Sequence, residues 1–156
     1  MEFSGTLNLE HAFDIHLDFK DRWMIGPLPS TGAHQGYTSI LRGVIEGPRL
    51  NGKVVEQSGA DWAFVRPDGV VELNAHYMLE ADDGTRIYLS NRGYVYGPAP
   101  AEDGRPARPR YFRCVPTFRV PDGPHEWLSR TVLIGAGERH TSEAADYTIF
   151  RYWAVT

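Results

Sequence analysis

The chain has 156 residues, 42% of them hydrophobic and 23% charged, with a formal net charge of -4. That length suits one domain spanning residues 1–156 with a core of its own, and the composition is far from that of a disordered chain. The acidic balance gives no electrostatic footprint for nucleic acid or for an anionic membrane surface.

Basic residues do gather at Arg105, Arg108, Arg110 and Arg113, but Glu102 and Asp103 precede them, so the run reads as a solvated loop. Cys114 is the single cysteine. No intramolecular disulfide can form, a cysteine-based zinc site lacks partners, and a reducing, cytoplasmic home is expected. Placed in an apolar run, Cys114 reads as a small buried hydrophobe. No basic segment followed by an apolar stretch opens the chain, and no window approaches the length of a membrane span, so neither export nor insertion is expected.

Four tryptophans, eight tyrosines and seven phenylalanines, with 16 glycines and 11 prolines, describe aromatic-rich strands punctuated by turns. In chain order, strands are expected at Gly5 to Leu17, Gly36 to Glu46, Lys53 to Gln57 and Trp62 to Arg66. Pro67-Asp68-Gly69 then makes a turn into the clearest strand, from Val70. There Val71, Leu73, Ala75, Tyr77 and Leu79 alternate with Glu72, Asn74, His76, Met78 and Glu80, the period of two of a strand that separates two environments. Asp82-Asp83-Gly84 is a hairpin signal, and Arg86 to Leu89 is the partner strand.

The segment Gly97 to Pro109 carries four prolines and reads as a long loop. Further strands are expected at Tyr111 to Val120, Thr131 to Ala136 and Thr148 to Val155. One short helix fits Gly123 to Leu128, with Pro124 in the first turn. The whole describes an all-β fold, a closed antiparallel barrel of about eight strands, because closure removes the edges that would otherwise pair with other chains. A barrel of this size is either filled by side chains or holds one small ligand.

Gly47-Pro48-Arg49-Leu50-Asn51-Gly52, Gly59-Ala60-Asp61-Trp62, Val65-Arg66-Pro67-Asp68-Gly69-Val70, and Asp83-Gly84 with Ile87-Tyr88 and Gly93 together resemble domain-of-unknown-function family 3237 (DUF3237). Tyr111-Phe112-Arg113, Phe118, Trp127-Leu128 and Gly135 extend the likeness over about the whole chain from Gly26. The resemblance implies a compact β-barrel and assigns no general activity. One departure is His76, where similar sequences are expected to carry a basic residue, often arginine.

The chemistry must therefore be sought in side chains. If the apolar face of the Val70 strand packs outside the barrel, Glu72, Asn74 and His76 line a polar cavity and can hold, protonate or deprotonate a substrate; if that face fills the barrel, the three are solvated. Asp61 beside Trp62 is suited to proton transfer if its surroundings are dry, or is a turn residue bonding backbone amides. Tyr88 can donate to a carbonyl or phenolate oxygen or simply pack in the core, and Arg113 can clamp a carboxylate or phenolate or lie along the surface. Trp127 can wall an aromatic ligand or plug the barrel end.

The six histidines form no tight metal motif, and neither a phosphate-cradling glycine loop nor a Gly-x-Ser-x-Gly nucleophile elbow occurs. No metal and no cofactor is expected. The reading that follows is a cofactor-independent acid/base lyase or isomerase acting on a small aromatic or carbonyl-bearing metabolite. Asp61, Glu72 or His76 would move the proton, Tyr88 and Asn74 would hold a developing oxyanion, and Trp62, Arg113 and Trp127 would orient the substrate. Its rivals are a non-catalytic small-molecule carrier and an interaction or scaffold domain with a filled interior. A homodimer is compatible with the aromatic-rich strands.

Overall fold

A computed structural model describes residues 4–98, 109–142 and 145–156. Ten strands and one 3-10 turn follow one another: β1 (Leu9–Ile25), β2 (His34–Glu46), β3 (Gly52–Val54), β4 (Ala60–Asp61), β5 (Phe64–Val65), β6 (Val71–Ala81), β7 (Arg86–Pro98), β8 (Pro109–Arg119), the turn η1 (Glu126–Ser129), β9 (Leu133–Thr141) and β10 (Asp146–Val155). All pairings are antiparallel, and the pairing of β1 with both β10 and β2 closes the sheet into an eight-stranded barrel. The short β3, β4 and β5 share one stave between β2 and β6.

The expected class is thus the observed one, with shifted boundaries. β1 begins at Leu9 and runs past Leu17 to Ile25 through a charged stretch, because β10 pairs with it as far as Asp18 and β2 carries the pairing on to Ile25, with bulges around Phe19 absorbing the irregularity. β7 continues well beyond Leu89, since β6 and β8 pair with it along its length. The expected helix is the single 3-10 turn. The proline-rich loop is shortened at both ends by β7 and β8, and its remainder lies outside the described residues.

Strand alternation sends one face inward. On β6 the buried positions are Leu73, Ala75, Tyr77, Leu79 and Ala81, so the apolar face fills the barrel side. The barrel is solid in one half. Phe13 is fully buried, with ring centroids 6.2 Å from Phe118, 6.4 Å from Trp127 and 5.2 Å from Tyr152. Leu79, Ile87, Leu89 and Leu133 complete this packed half with Leu128 of η1.

The other half is hollow. Glycines on β9 let rings lie flat across it: a Cβ at Gly137 would come within 2.6 Å of the Phe112 ring, which is itself packed edge-on against Phe150. Gly137→Ala is therefore expected to cost about 1–3 kcal/mol through overpacking, read as a lower denaturation midpoint at unchanged slope.

Candidate functional site

The hollow half is a cavity of ≈ 230 Å³. Leu17, Phe19, Ile40, Val71, Leu73, Ala75, Val95, Phe112 and Phe150 give it an apolar wall, and exposed Trp23 and Met24 stand at its rim. Polar groups enter at two levels. Arg22 and Arg139 lie towards the rim, Asp61 stands in register with Asn91 across Ala75, and Tyr77 and Asn91 are 1% and 0% exposed, with Thr38 and Thr148 also on the wall.

Asp61 is delivered by the broken stave. Ala60–Asp61 pairs with β2 on one side and β6 on the other, opposite Thr38 and Ala75, before the ladder is interrupted at Trp62 and Ala63. Where the backbone departs, the side chain takes over: Asp61 Oδ1 accepts a hydrogen bond of 3.0 Å from the Asn74 amide, while the Trp62 amide donates to the Asn74 carbonyl at 3.0 Å. Neither sequence setting of Asp61 is the observed one: the bonded amide is 13 residues away across the sheet rather than in a local turn, and the Trp62 ring is exposed rather than drying the carboxyl.

Burial dominates its electrostatics. Desolvation pushes the Asp61 carboxyl up from 3.8 to about 6, against the opposing pull of the Asn74 amide and the positive charges of Arg22 and Arg139. Arg139 is itself held below the usual guanidinium range by burial and then by repulsion from Arg22. Asp146 ties the two arginines together, accepting from Arg22 at 3.0 Å through Oδ2 and from Arg139 through Oδ1. With Asp61 protonated, this set of four charged side chains carries a net charge of about +1; with Asp61 ionised it is about neutral.

The remaining expected site residues lie elsewhere. The polar face of β6 does not line the cavity: Glu72, Asn74 and His76 turn outward, because the hydrocarbon of Leu73, Ala75 and Tyr77 gains more from the interior than those groups would. Glu72 is about half exposed and faces Arg66 at 3.8 Å. Together with Trp62, Asn74, Arg92 and Tyr94 it borders a shallow outer groove.

His76 makes an outer cluster of its own. Its Nε2–H donates to Asn74 Oδ1 at 3.0 Å, which leaves Nδ1 to accept from the Tyr88 hydroxyl at 2.6 Å. Tyr88 is thus on the outer surface rather than at an oxyanion in the barrel. Trp62 is 50% exposed and packs against Tyr37 outside. Arg113 points out as well, donating to the Phe112 carbonyl and lying over Tyr111. Trp127 plugs the solid end, with the Arg49 guanidinium 3.8 Å above its ring.

Arg22, Arg139, Tyr77 and Asn91 were not among the sequence candidates. A signal existed for one of them, since Asn91 continues the inward series Ile87 and Leu89 and so puts an amide where the period demands hydrocarbon. Cys114 behaves as expected: it is buried, and burial pushes its thiol up to about 12. Among the described residues, no group of three or more His, Cys, Asp or Glu side chains is placed to hold a metal ion, and no helix is long and apolar enough to cross a membrane.

Relatives share this architecture. A UPF0311 protein of Rhodopseudomonas palustris (strain TIE-1) is 33% identical over 141 residues, covering 86% of this chain and 90% of that one. A UPF0311 protein of Clostridium acetobutylicum is 32% identical over 139 residues, covering 85% and 87%. Among solved structures, a β-barrel-like protein from Acinetobacter baumannii AYE superposes with a TM-score of 0.86 at 25% identity over the full length of both chains. An enzyme from Penicillium herquei shares the fold with a TM-score of 0.74 at 17% identity, covering 100% of this chain and 99% of that one. The family described as Protein of unknown function (DUF3237) matches residues 7–155, and the chain belongs to that family.

Proposed function

We propose that the barrel is an acid/base enzyme, a lyase or isomerase, that takes a small aromatic or carbonyl-bearing metabolite into the cavity and moves a proton with Asp61. One observation carries this reading. Asp61 is a carboxyl group on the wall of a largely apolar hollow, and its pKa of about 6 lets it both accept and return a proton near neutral pH. The apolar wall would take the ring or carbon skeleton. Arg22 and Arg139 would stabilise negative charge that develops on a substrate oxygen, in a place where low dielectric strengthens the interaction. Asp146 keeps the arginine pair oriented. The same fold carries an enzyme in Penicillium herquei, in line with a catalytic use of the barrel.

Proton transfer leaves an isotopic record. Wild-type protein in D2O, given a panel of small aromatic ketones and hydroxy acids, is expected to introduce deuterium at the carbon next to a carbonyl, followed by NMR. Asp61→Asn should abolish that exchange. A compound that binds and is recovered unlabelled from wild type across the panel would instead identify a carrier.

A further inference from the structure

The deep end of the cavity holds two buried polar groups whose hydrogen-bonding capacity the protein does not use up. No hydrogen bond of good geometry reaches Tyr77 Oη or Asn91 Oδ1; the Tyr152 hydroxyl stands near Tyr77 Oη only as a donor, which leaves the Tyr77 hydrogen without an acceptor. Tyr77 and Asn91 are diagonal neighbours on adjacent strands, Asn91 standing opposite Ala75 and Tyr77 opposite Leu89, and both line the cavity. The Asn91 amide is fixed in place because its Nδ2 donates to Tyr152 Oη at 3.0 Å, which turns Oδ1 away from that bond.

Burying unpaired polar atoms costs stability, so a donor and an acceptor kept side by side at the end of a hollow call for a third group between them. Their chemistry specifies it. A phenolic hydrogen is a donor and an amide oxygen is an acceptor only, so the complement is a group that accepts one bond and donates another.

We propose that Tyr77 and Asn91 form a hydroxyl subsite: an alcohol or phenol of the ligand accepts from Tyr77 Oη–H and donates to Asn91 Oδ1. A ketone, ester or carboxylate oxygen would satisfy Tyr77 and leave Asn91 unpaired. At the opposite end, Arg22 and Arg139 provide for an anionic substituent. Between them the wall is mostly apolar, Asp61, Thr38 and Thr148 being its polar members, and a cavity of ≈ 230 Å³ exceeds the roughly 150 Å³ that accommodates benzene, so one ring with polar groups at both ends fits. The ligand class is a single-ring hydroxy acid, oriented with its hydroxyl inward. This assignment rests on the cavity being the binding site, as in the function proposed above, but not on Asp61 doing chemistry.

Calorimetric titration with 4-hydroxybenzoate, benzoate and phenol tests it without requiring turnover. For wild type, 4-hydroxybenzoate should bind about tenfold or more tightly than benzoate, because benzoate leaves both deep groups unpaired. Phenol should bind but more weakly than 4-hydroxybenzoate. In Tyr77→Phe, the preference for 4-hydroxybenzoate over benzoate should fall severalfold but stay above unity, because the ligand hydroxyl still donates to Asn91 Oδ1. That variant should melt within about 2 °C of wild type, since the oxygen it removes makes only a poorly aligned contact with the Tyr152 hydroxyl in the unliganded protein.

Equal affinity for 4-hydroxybenzoate and benzoate in wild type would overturn the subsite, and would mean that a trapped water serves the two groups. A clear drop in melting temperature or failure of Tyr77→Phe to fold would overturn it too, by making the hydroxyl structural. So would absence of binding by all three probes at millimolar concentration. Discrimination that depends on Tyr77, with no deuterium exchange on any compound, would retain the subsite and remove the catalytic reading; exchange that is indifferent to Tyr77→Phe would do the reverse.

Discussion

Asp61→Asn is expected to lower turnover by about 10²–10⁴-fold, the usual contribution of a general acid or base, and to make the protein more stable at neutral pH. The two effects have one source. Asparagine keeps an oxygen that can accept from the Asn74 amide, so the stave should remain intact, but it cannot carry the proton. The stability change follows from linkage. In the unfolded chain the carboxyl titrates near 3.8 and in the folded protein near 6, so between those values the unfolded chain has released a proton that the folded protein still holds. Wild-type stability therefore falls as pH rises through that window, and the full deficit, about 3 kcal/mol, is present above it.

Urea unfolding at pH 7.5 should show Asp61→Asn more stable by up to that amount, and at pH 3.5 the two proteins should coincide. Equal stabilities at both pH values would show that Asp61 is not held in a dry place. The wild-type rate profile should also have an inflection near pH 6, rising through it if Asp61 acts as the base and falling if it acts as the acid.

Phe13→Ala is expected to cost about 3–5 kcal/mol, with denaturant unfolding as the measurement. Phe13 is fully buried where Phe118, Trp127 and Tyr152 converge, in the half of the barrel that has no hollow to collapse into. A loss below about 1 kcal/mol would mean that this end is plastic and that Trp127 is not a fixed plug. The contrast between the halves matters for function. One end is packed to density so that the other can stay open on a rigid frame, with Tyr152 belonging to the packed end while its hydroxyl orients Asn91 at the bottom of the cavity.

The barrel itself was legible in the residues. Alternation along Val71 to Ala81, the Asp82-Asp83-Gly84 turn and the aromatic content pointed to antiparallel strands, and the period of two correctly separated the residues of β6 into two sets. What that period cannot say is which set faces in. The choice between an inward Glu72, Asn74 and His76 and an inward Leu73, Ala75 and Tyr77 is made by what the other seven staves present to the same space, and they present Phe19, Ile40, Val95, Phe112 and Phe150. Hydrocarbon on those walls draws hydrocarbon from β6.

Asp61 was identified from its position beside an indole, yet the indole turned out to be outside, and the dryness comes from the cavity instead. Arg22 and Arg139 could not be joined to it from sequence, because 39 and 78 positions separate them from it along the chain and only barrel closure brings β1 and β9 to one rim. The sequence by itself determined local conformation, namely where strands run, where turns break them and which residues share a face, since these depend on backbone sterics and neighbours a few positions away. The tertiary structure alone decided which faces enclose a hollow, which charges meet at its mouth and which polar atoms are left waiting at its end. Those depend on desolvation and on pairings between residues far apart in the chain, which only the closed barrel sets.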